Sequence, residues 1–299
     1  MKKKKILIAG GTGFIGYHVS KRFVNLGFDV TSLSSKKPSK KRFINKVNYL
    51  ICDLTNKKKI SKTIIENFEI IINLSGYVDH SNKKKTFKTH YYGCKNLANI
   101  FLNKKIKCFI QLGSSMEYGN ILPPHFEKNI CKPRTSYALA KYKSTKYLEY
   151  LNLKYKFPAV VLRLYQAYGP KQEINRLVPI VINSCLKSKT FPCTKGDQLR
   201  DFLYIDDLVN LMVKIIKKKN INYQIFNVGS GKSVKIKSLI NLIKKMSKKG
   251  QPQFGKIKMR KEEPLELFPN INKVKKYFNW KPKISIEEGI RKTITSYEK

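Results

Sequence analysis

The sequence predicts an α/β fold built on a doubly wound parallel sheet. Three observations carry that prediction. The first is the apolar run Ile6-Leu7-Ile8-Ala9, of the kind covered on both faces in a parallel sheet. The second is the stretch directly after it: glycines at positions 10, 11, 13 and 16, then a helical pattern of Phe14, Val19, Phe23, Val24 and Leu26. The third is recurrence. Short apolar runs at residues 28–33, 47–52, 69–74 and 107–112 read as four more strands, with helical pattern over residues 85–103.

Composition bounds the rest. A chain of 299 residues with 41% hydrophobic content can bury a large core, either in one two-lobed unit or in two small domains. There is no linker, internal repeat or low-complexity tail. No run of about 18 apolar residues exists, so no membrane span is expected. The lysines at positions 2 to 5 imitate the start of a signal peptide, but glycines end the apolar run after four residues, and a cytoplasmic protein is expected. The six cysteines, at 52, 94, 108, 131, 185 and 193, show no Cys-x-x-Cys spacing and no histidine cluster, so neither a metal site nor a disulfide framework is indicated.

The net charge is +43, from 62 Lys and Arg against 19 Asp and Glu. That balance raises nucleic-acid binding as a function. Against it, lysine is spread along the whole chain in short runs such as Lys57-Lys58-Lys59 and Lys217-Lys218-Lys219, with no recognition motif. Solvated lysine faces are the plainer reading, and no specific nucleic-acid partner is expected. An anionic substrate would still be drawn in.

Strand, glycine turn and helix together turn a glycine motif into a phosphate site. Glycine lets the backbone approach a pyrophosphate, and the helix start offers N–H groups and a positive dipole end. The spacing fits Gly11-x-Gly13-x-x-Gly16, a general dinucleotide pattern, and also Gly10-x-x-Gly13-x-x-Gly16. A glycine turn without ligand is the competing reading. Strand two ends in Ser34-Ser35-Lys36-Lys37, where an NAD site usually carries Asp or Glu for the ribose hydroxyls. With no carboxylate to repel a 2′-phosphate and two cations near, NADP(H) is expected over NAD(H), which stays possible.

Strand five leads into Gly113-Ser114-Ser115-Met116-Glu117-Tyr118-Gly119. Ligands bind beyond the carboxyl ends of the strands in open parallel sheets, so Ser114 lies where chemistry is expected. Pro133-Arg134-Thr135-Ser136-Tyr137 then opens a long helix, on which Tyr137 and Lys141 sit at i and i+4 and share a face.

With Ser114 upstream and the glycine motif at the start, the chain resembles an extended short-chain dehydrogenase/reductase of the NAD-dependent epimerase/dehydratase kind, acting on nucleotide sugars. The likeness runs to the end of the chain. It includes Gly93-Cys94-Lys95-Asn96-Leu97, Arg163 to Pro170, Asn175-Arg176-Leu177-Val178-Pro179, Arg200-Asp201-Phe202 through Asp206-Asp207-Leu208, Phe226 to Gly231 and Trp280-Lys281-Pro282. The family's asparagine ahead of residue 93 is His90 here.

The resemblance implies a Rossmann domain over residues 1–165, with 206–228 a candidate to return to it, and a smaller substrate-binding lobe over most of 166–299. It implies that Gly10, Gly13, Phe14, Ile15 and Gly16 hold the dinucleotide, with Ser34 and Lys36 at one ribose. Asp53 and Leu54 would meet the adenine, and Leu74 would lie beside the cofactor ribose. Tyr137 would be the acid/base, Lys141 its tuning group and a ribose ligand, and Ser114 the hydrogen-bond donor to the reacting oxygen. A free tyrosine has a pKa of about 10, and a neighbouring lysine cation favours its phenolate.

Arg200 is the first candidate for a nucleotide-sugar diphosphate, since a guanidinium binds phosphate oxygens in pairs. Arg176 is the second, and Gln166 stands where many relatives have an asparagine. Dehydratases of the family carry Asp-Glu directly after the catalytic Ser or Thr; Ser115 and Met116 stand there instead, with Glu117 one position late. Two reactions remain. One is a 4-reductase of a 4-keto-6-deoxy sugar nucleotide using NADPH, the expectation favoured here. The other is a 4-epimerase with retained NAD. A non-catalytic dinucleotide-binding or RNA-binding protein is the reading from another class, which the intact Ser114, Tyr137 and Lys141 oppose. A homodimer is expected.

Overall fold

The computed structural model describes residues 3–79, 81–259 and 263–298. Its strands are β1 (Lys5–Ala9), β2 (Asp29–Ser34), β3 (Val47–Ile51), β4 (Ile70–Asn73), β5 (Cys108–Ser114), β6 (Ala159–Leu164), β7 (Gln166–Tyr168), β8 (Thr190–Pro192), β9 (Leu199–Tyr204), β10 (Gln224–Val228), β11 (Ser233–Lys235), β12 (Gln251–Gln253) and β13 (Glu266–Leu267). The helices used below are α1 (Phe14–Asn25), α2 (Lys57–Thr63), α3 (Lys83–Phe87), α4 (Gly93–Ile100), α5 (Ser136–Tyr155), α6 (Leu177–Leu186) and α7 (Ile205–Lys217). The chain divides into two compact units. The first comprises Met1–Gly119, Glu127–Leu164 and Val209–Phe226, the second Asn120–Phe126, Tyr165–Leu208 and Asn227–Lys299.

The first unit is built on a seven-stranded sheet of order β10-β6-β5-β4-β1-β2-β3. The pairings from β3 across to β6 are all parallel. Ile6, Leu7, Ile8 and Ala9 of β1 are wholly buried, as their unbroken apolar run requires. Strand order reverses between β1 and β4, and the chain leaves β1 straight into the glycine turn. That reversal is where open α/β sheets open a crevice for ligands. Helix α1 buries Phe14, Tyr17, Val19 and Phe23. Another part of the core gathers Leu7, Leu33, Ile71, Phe109 and Val161 from the sheet with Leu97, Leu148 and Leu151 from helices and Phe101 just past the end of α4.

The helical pattern over residues 85–103 is not one regular helix. α3 passes into a π turn at Lys88–Tyr92 before α4 begins, and α4 ends at Ile100. The widened turn presents the His90 carbonyl to the Ser144 hydroxyl of α5, which donates to it at 3.0 Å. Turns of this kind recur at functional sites, and apolar periodicity alone carries no sign of them.

In the second unit, β9 is the organising strand. It pairs antiparallel with β11 and parallel with β7 and β13. Asp201 of β9 is fully buried and accepts hydrogen bonds from the Ser230 and Gly231 amides at 2.6 and 2.7 Å. Burial pushes its carboxyl up to about 6, against the pull of those amides. The Asp207 carboxylate accepts from the Lys283 and Ile284 amides, and the Trp280 indole donates to the Asp207 carbonyl. Among the described residues, no helix is long and apolar enough to cross a membrane.

Candidate active site

The glycine turn is shaped by three different demands. Gly10 has φ +79°, and a Cβ there would come within 2.9 Å of Leu74 backbone atoms and 2.8 Å of the Ser75 amide. A Cβ on Gly16 would lie 2.2 Å from the Gly10 carbonyl, so the helix can approach the turn this closely only without a side chain. Gly13 differs. A Cβ there would meet nothing nearer than the Gly10 carbonyl at 3.4 Å, an ordinary contact. The protein itself does not require glycine at 13; a ligand lying against the backbone would.

Gly13 is also the N-cap of the twelve-residue α1. It brings no side-chain cap, and the first turn holds no acidic residue. These features fit a bound pyrophosphate, held by N–H groups and the helix dipole. Phe14 and Gly16 are buried and Ile15 is half-buried behind this turn.

Ser34 ends β2 as a buried residue, its Oγ 3.4 Å from the Thr12 amide, while Lys36 and Lys37 are exposed. Asp53 is exposed and its carboxylate accepts from the Thr55 amide at 2.8 Å. Leu54 is buried, and its carbonyl accepts from the Asn96 side chain at 2.9 Å. Leu74 is half-buried beside Gly10.

At the end of β5 the chain turns sharply and is braced from below. The Glu117 carboxylate accepts the Ser114 amide at 2.9 Å, while the Ser114 Oγ accepts the Met116 amide at 3.2 Å, a reciprocal capping box. Glu117 is completely buried. Its other oxygen takes the Arg163 Nε–H at 3.0 Å and the Thr145 hydroxyl at 2.9 Å. The carboxylate that stands one position late for the family's Asp-Glu pair is held as a buried brace by Arg163 and Thr145.

Thr135 caps α5 by accepting from the Ala138 amide, which sets Tyr137 in the first turn. Lys141 lies one turn on, its Nζ 5.9 Å from the Tyr137 ring centre. Lys141 is 4% exposed, and its ammonium donates to the Leu112 carbonyl at 2.6 Å, two residues before Ser114. Burial lowers its pKa from the usual 10.5 to about 8, with Glu117 and the Cys94 thiol opposing the shift. The imidazole of His90 stands nearly perpendicular to the Tyr137 ring, centres 4.9 Å apart. A phenol beside a lysine poised near neutrality can pass a proton at ordinary pH.

The second unit holds the remaining predicted residues. Gln166 and Arg176 line one cavity of about 180 Å³, together with Tyr168, Gln172, Asn175 and Phe202. Arg176 is the N-cap of α6. Arg200 does not join them. It is buried, with Nη1 donating to the carbonyls of Leu199 and Leu265 and Nη2 to the Pro264 carbonyl and the Glu263 carboxylate at 2.7 and 2.6 Å.

A family model described as the NAD dependent epimerase/dehydratase family matches residues 6–229. The chain belongs to that family. It is an enzyme of the extended short-chain dehydrogenase/reductase class. Among curated relatives, the CDP-abequose synthase of Salmonella muenchen is 27% identical over 99% of this chain and 98% of its own length. The dTDP-4-dehydro-6-deoxyglucose reductase of Escherichia coli is 25% identical over 99% and 98%. Among solved structures, the UDP-glucose 4-epimerase of Thermotoga maritima with UDP-glucose superposes with a TM-score of 0.93 at 24% identity, over 98% of both chains.

Sequence alone misses two features of this family member's site. The Glu117–Arg163 pair joins residues 46 apart, and Glu263 engages Arg200 from 63 residues away. His90 is visible in the sequence as a departure from the family pattern, but its contact with Tyr137 is not.

Gly13 gives a direct check on the phosphate turn. Gly13→Val should keep the fold, since no protein atom blocks the new Cβ, and should lose dinucleotide binding. Titration of NAD(P)H fluorescence against the folded variant reads this. Parent-like affinity would show that the motif is only a turn.

Proposed function

We propose that this enzyme is an NADPH-linked 4-reductase of a 4-keto-6-deoxy sugar nucleotide. The observation that carries the reading is the end of β2. Buried Ser34, with Lys36 and Lys37 exposed beyond it, offers no carboxylate against a 2′-phosphate. The turn after β5 supports it from the reaction side. Water elimination needs an acid/base pair after Ser114; Ser115 and Met116 cannot supply it, and Glu117 is committed to Arg163 and Thr145.

In this reading the reduced nicotinamide supplies the hydride when bound. Tyr137 gives its proton to the oxygen of the reduced carbonyl. The Lys141 ammonium stabilises the phenolate that remains. The Ser114 hydroxyl steadies the same substrate oxygen, and Gln166 and Arg176 hold the anionic part of the substrate. A homodimer belongs to this reading.

The experiment is a pair of dissociation constants, for NADPH and NADH at one stated salt concentration, joined to turnover of a 4-keto-6-deoxy nucleotide sugar. NADPH should bind more tightly and support turnover. Equal or tighter NADH binding would overturn the cofactor preference. Mass spectrometry of the purified protein completes the test, since retained NAD would favour a 4-epimerase.

A further inference from the structure

His90 joins three segments of the first unit. It sits in the π turn, 6% exposed. On one side its ring meets Tyr137 of α5 at 4.9 Å, with an interplanar angle of 82°. On another it presses on Gly76, in the segment that leaves β4. A Cβ at Gly76 would fall 2.3 Å from the imidazole Cε1, so only glycine admits the ring here. The His90 Nε2 lies 3.3 Å from both the amide nitrogen and the carbonyl oxygen of Tyr77, one to donate and the other to accept according to the tautomer. Its carbonyl takes the Ser144 hydroxyl, three residues beyond Lys141 on α5.

We propose that His90 is a positioning residue that fixes the rotamer of Tyr137 and ties it to the Gly76–Tyr77 segment; this rests on the acid role given to Tyr137 above. Tyr137 lies in the first turn of α5 and is half-buried, with the His90 ring packed against it. A change of rotamer would carry the phenol hydroxyl away from the substrate oxygen it must reach. The flat face or edge of an aromatic neighbour prevents that at little entropic cost. The asparagine that the family pattern places at this position offers no ring, and it would leave a gap at Gly76. The His90 ring occupies the space that a side chain at Gly76 would need.

The test uses the full-length enzyme loaded with its dinucleotide and two variants, His90→Asn and His90→Phe. His90→Asn should lower kcat by about 10- to 100-fold, the usual effect of misplacing a catalytic group. KM for the sugar nucleotide and dinucleotide affinity should stay within about twofold, since neither is bound through this contact. His90→Phe, which restores a ring, should recover most of kcat. An unchanged kcat in His90→Asn, or a phenylalanine variant as slow as the asparagine one, would overturn the proposal.

A second readout separates this from the fate of the reaction assignment. The tyrosinate absorbance that Tyr137→Phe removes isolates the Tyr137 titration. In His90→Asn its midpoint should rise towards the ordinary value of about 10, as the ring swings away from Lys141. An unmoved midpoint would overturn the proposal even if no nucleotide sugar is turned over.

Discussion

Replacing Tyr137 by phenylalanine should lower turnover by about 10²–10⁴-fold, the usual worth of general acid–base catalysis. The substitution removes the hydroxyl and keeps the ring, so the packing with His90 persists. Dinucleotide affinity should change little, because the hydroxyl is one of many contacts. Lys141→Met should damage both turnover and affinity, since Lys141 would hold the ribose as well as the phenolate. The pH profile carries the same logic. Lys141, lowered to about 8, keeps its charge below that pH and loses it above. The cation that favours the phenolate is thus withdrawn as pH rises through about 8, and turnover should fall on that limb. Steady-state kinetics of the folded, dinucleotide-loaded variants decide the matter. Near-parental turnover by Tyr137→Phe would move the acid elsewhere.

Glu117→Ala should cost about 3–5 kcal/mol of stability, the range for breaking a buried ion pair from one side. Arg163 is 3% exposed at its side chain and would keep a buried charge without its carboxylate. The Ser114 amide and the Thr145 hydroxyl would lose their acceptor as well. The double variant Glu117→Ala with Arg163→Met should lose less than Glu117→Ala alone, because no stranded charge remains. Denaturant unfolding measures all three proteins. A loss below about 1 kcal/mol, the worth of an exposed pair, would show that the brace is not structural. Glu117→Gln gives the complementary result: if it folds, it should retain turnover at lower pH, with the alkaline limb moved down, because the Glu117 charge no longer helps to keep Lys141 protonated.

Most of the frame was legible in the sequence because it is written locally. An unbroken apolar run before glycines marks β1 and its turn, and Tyr137 and Lys141 share a face by helix period alone. What was illegible depends on partners distant along the chain. Nothing near Glu117 announces Arg163. Nothing near Arg200 announces that Glu263 and the carbonyls of Pro264 and Leu265 take up its donors. In this structure the Arg200 guanidinium is buried and tied to those acceptors in the second unit. Gln166 and Arg176 line one cavity, as the short separation between β7 and the start of α6 allows. The π turn shows the same limit at close range. Its sequence is compatible with regular helix, and the partners that His90 meets in it, on α5 and at Gly76, lie far along the chain.

The support beneath Ser114 bears on how a fold of this kind changes its trade. The loop is held by Glu117, Thr145 and Arg163, and by the Ser114 side chain on a backbone amide. The side chain of Met116 takes no part in that scaffold and is half-buried. Position 116 can therefore accept a new functional group while the turn that presents Ser114 stays in place. Stability is assigned to one set of side chains and innovation to another. A substitution at that one position would leave the brace beneath Ser114 and the helix that carries Tyr137 and Lys141 as they are.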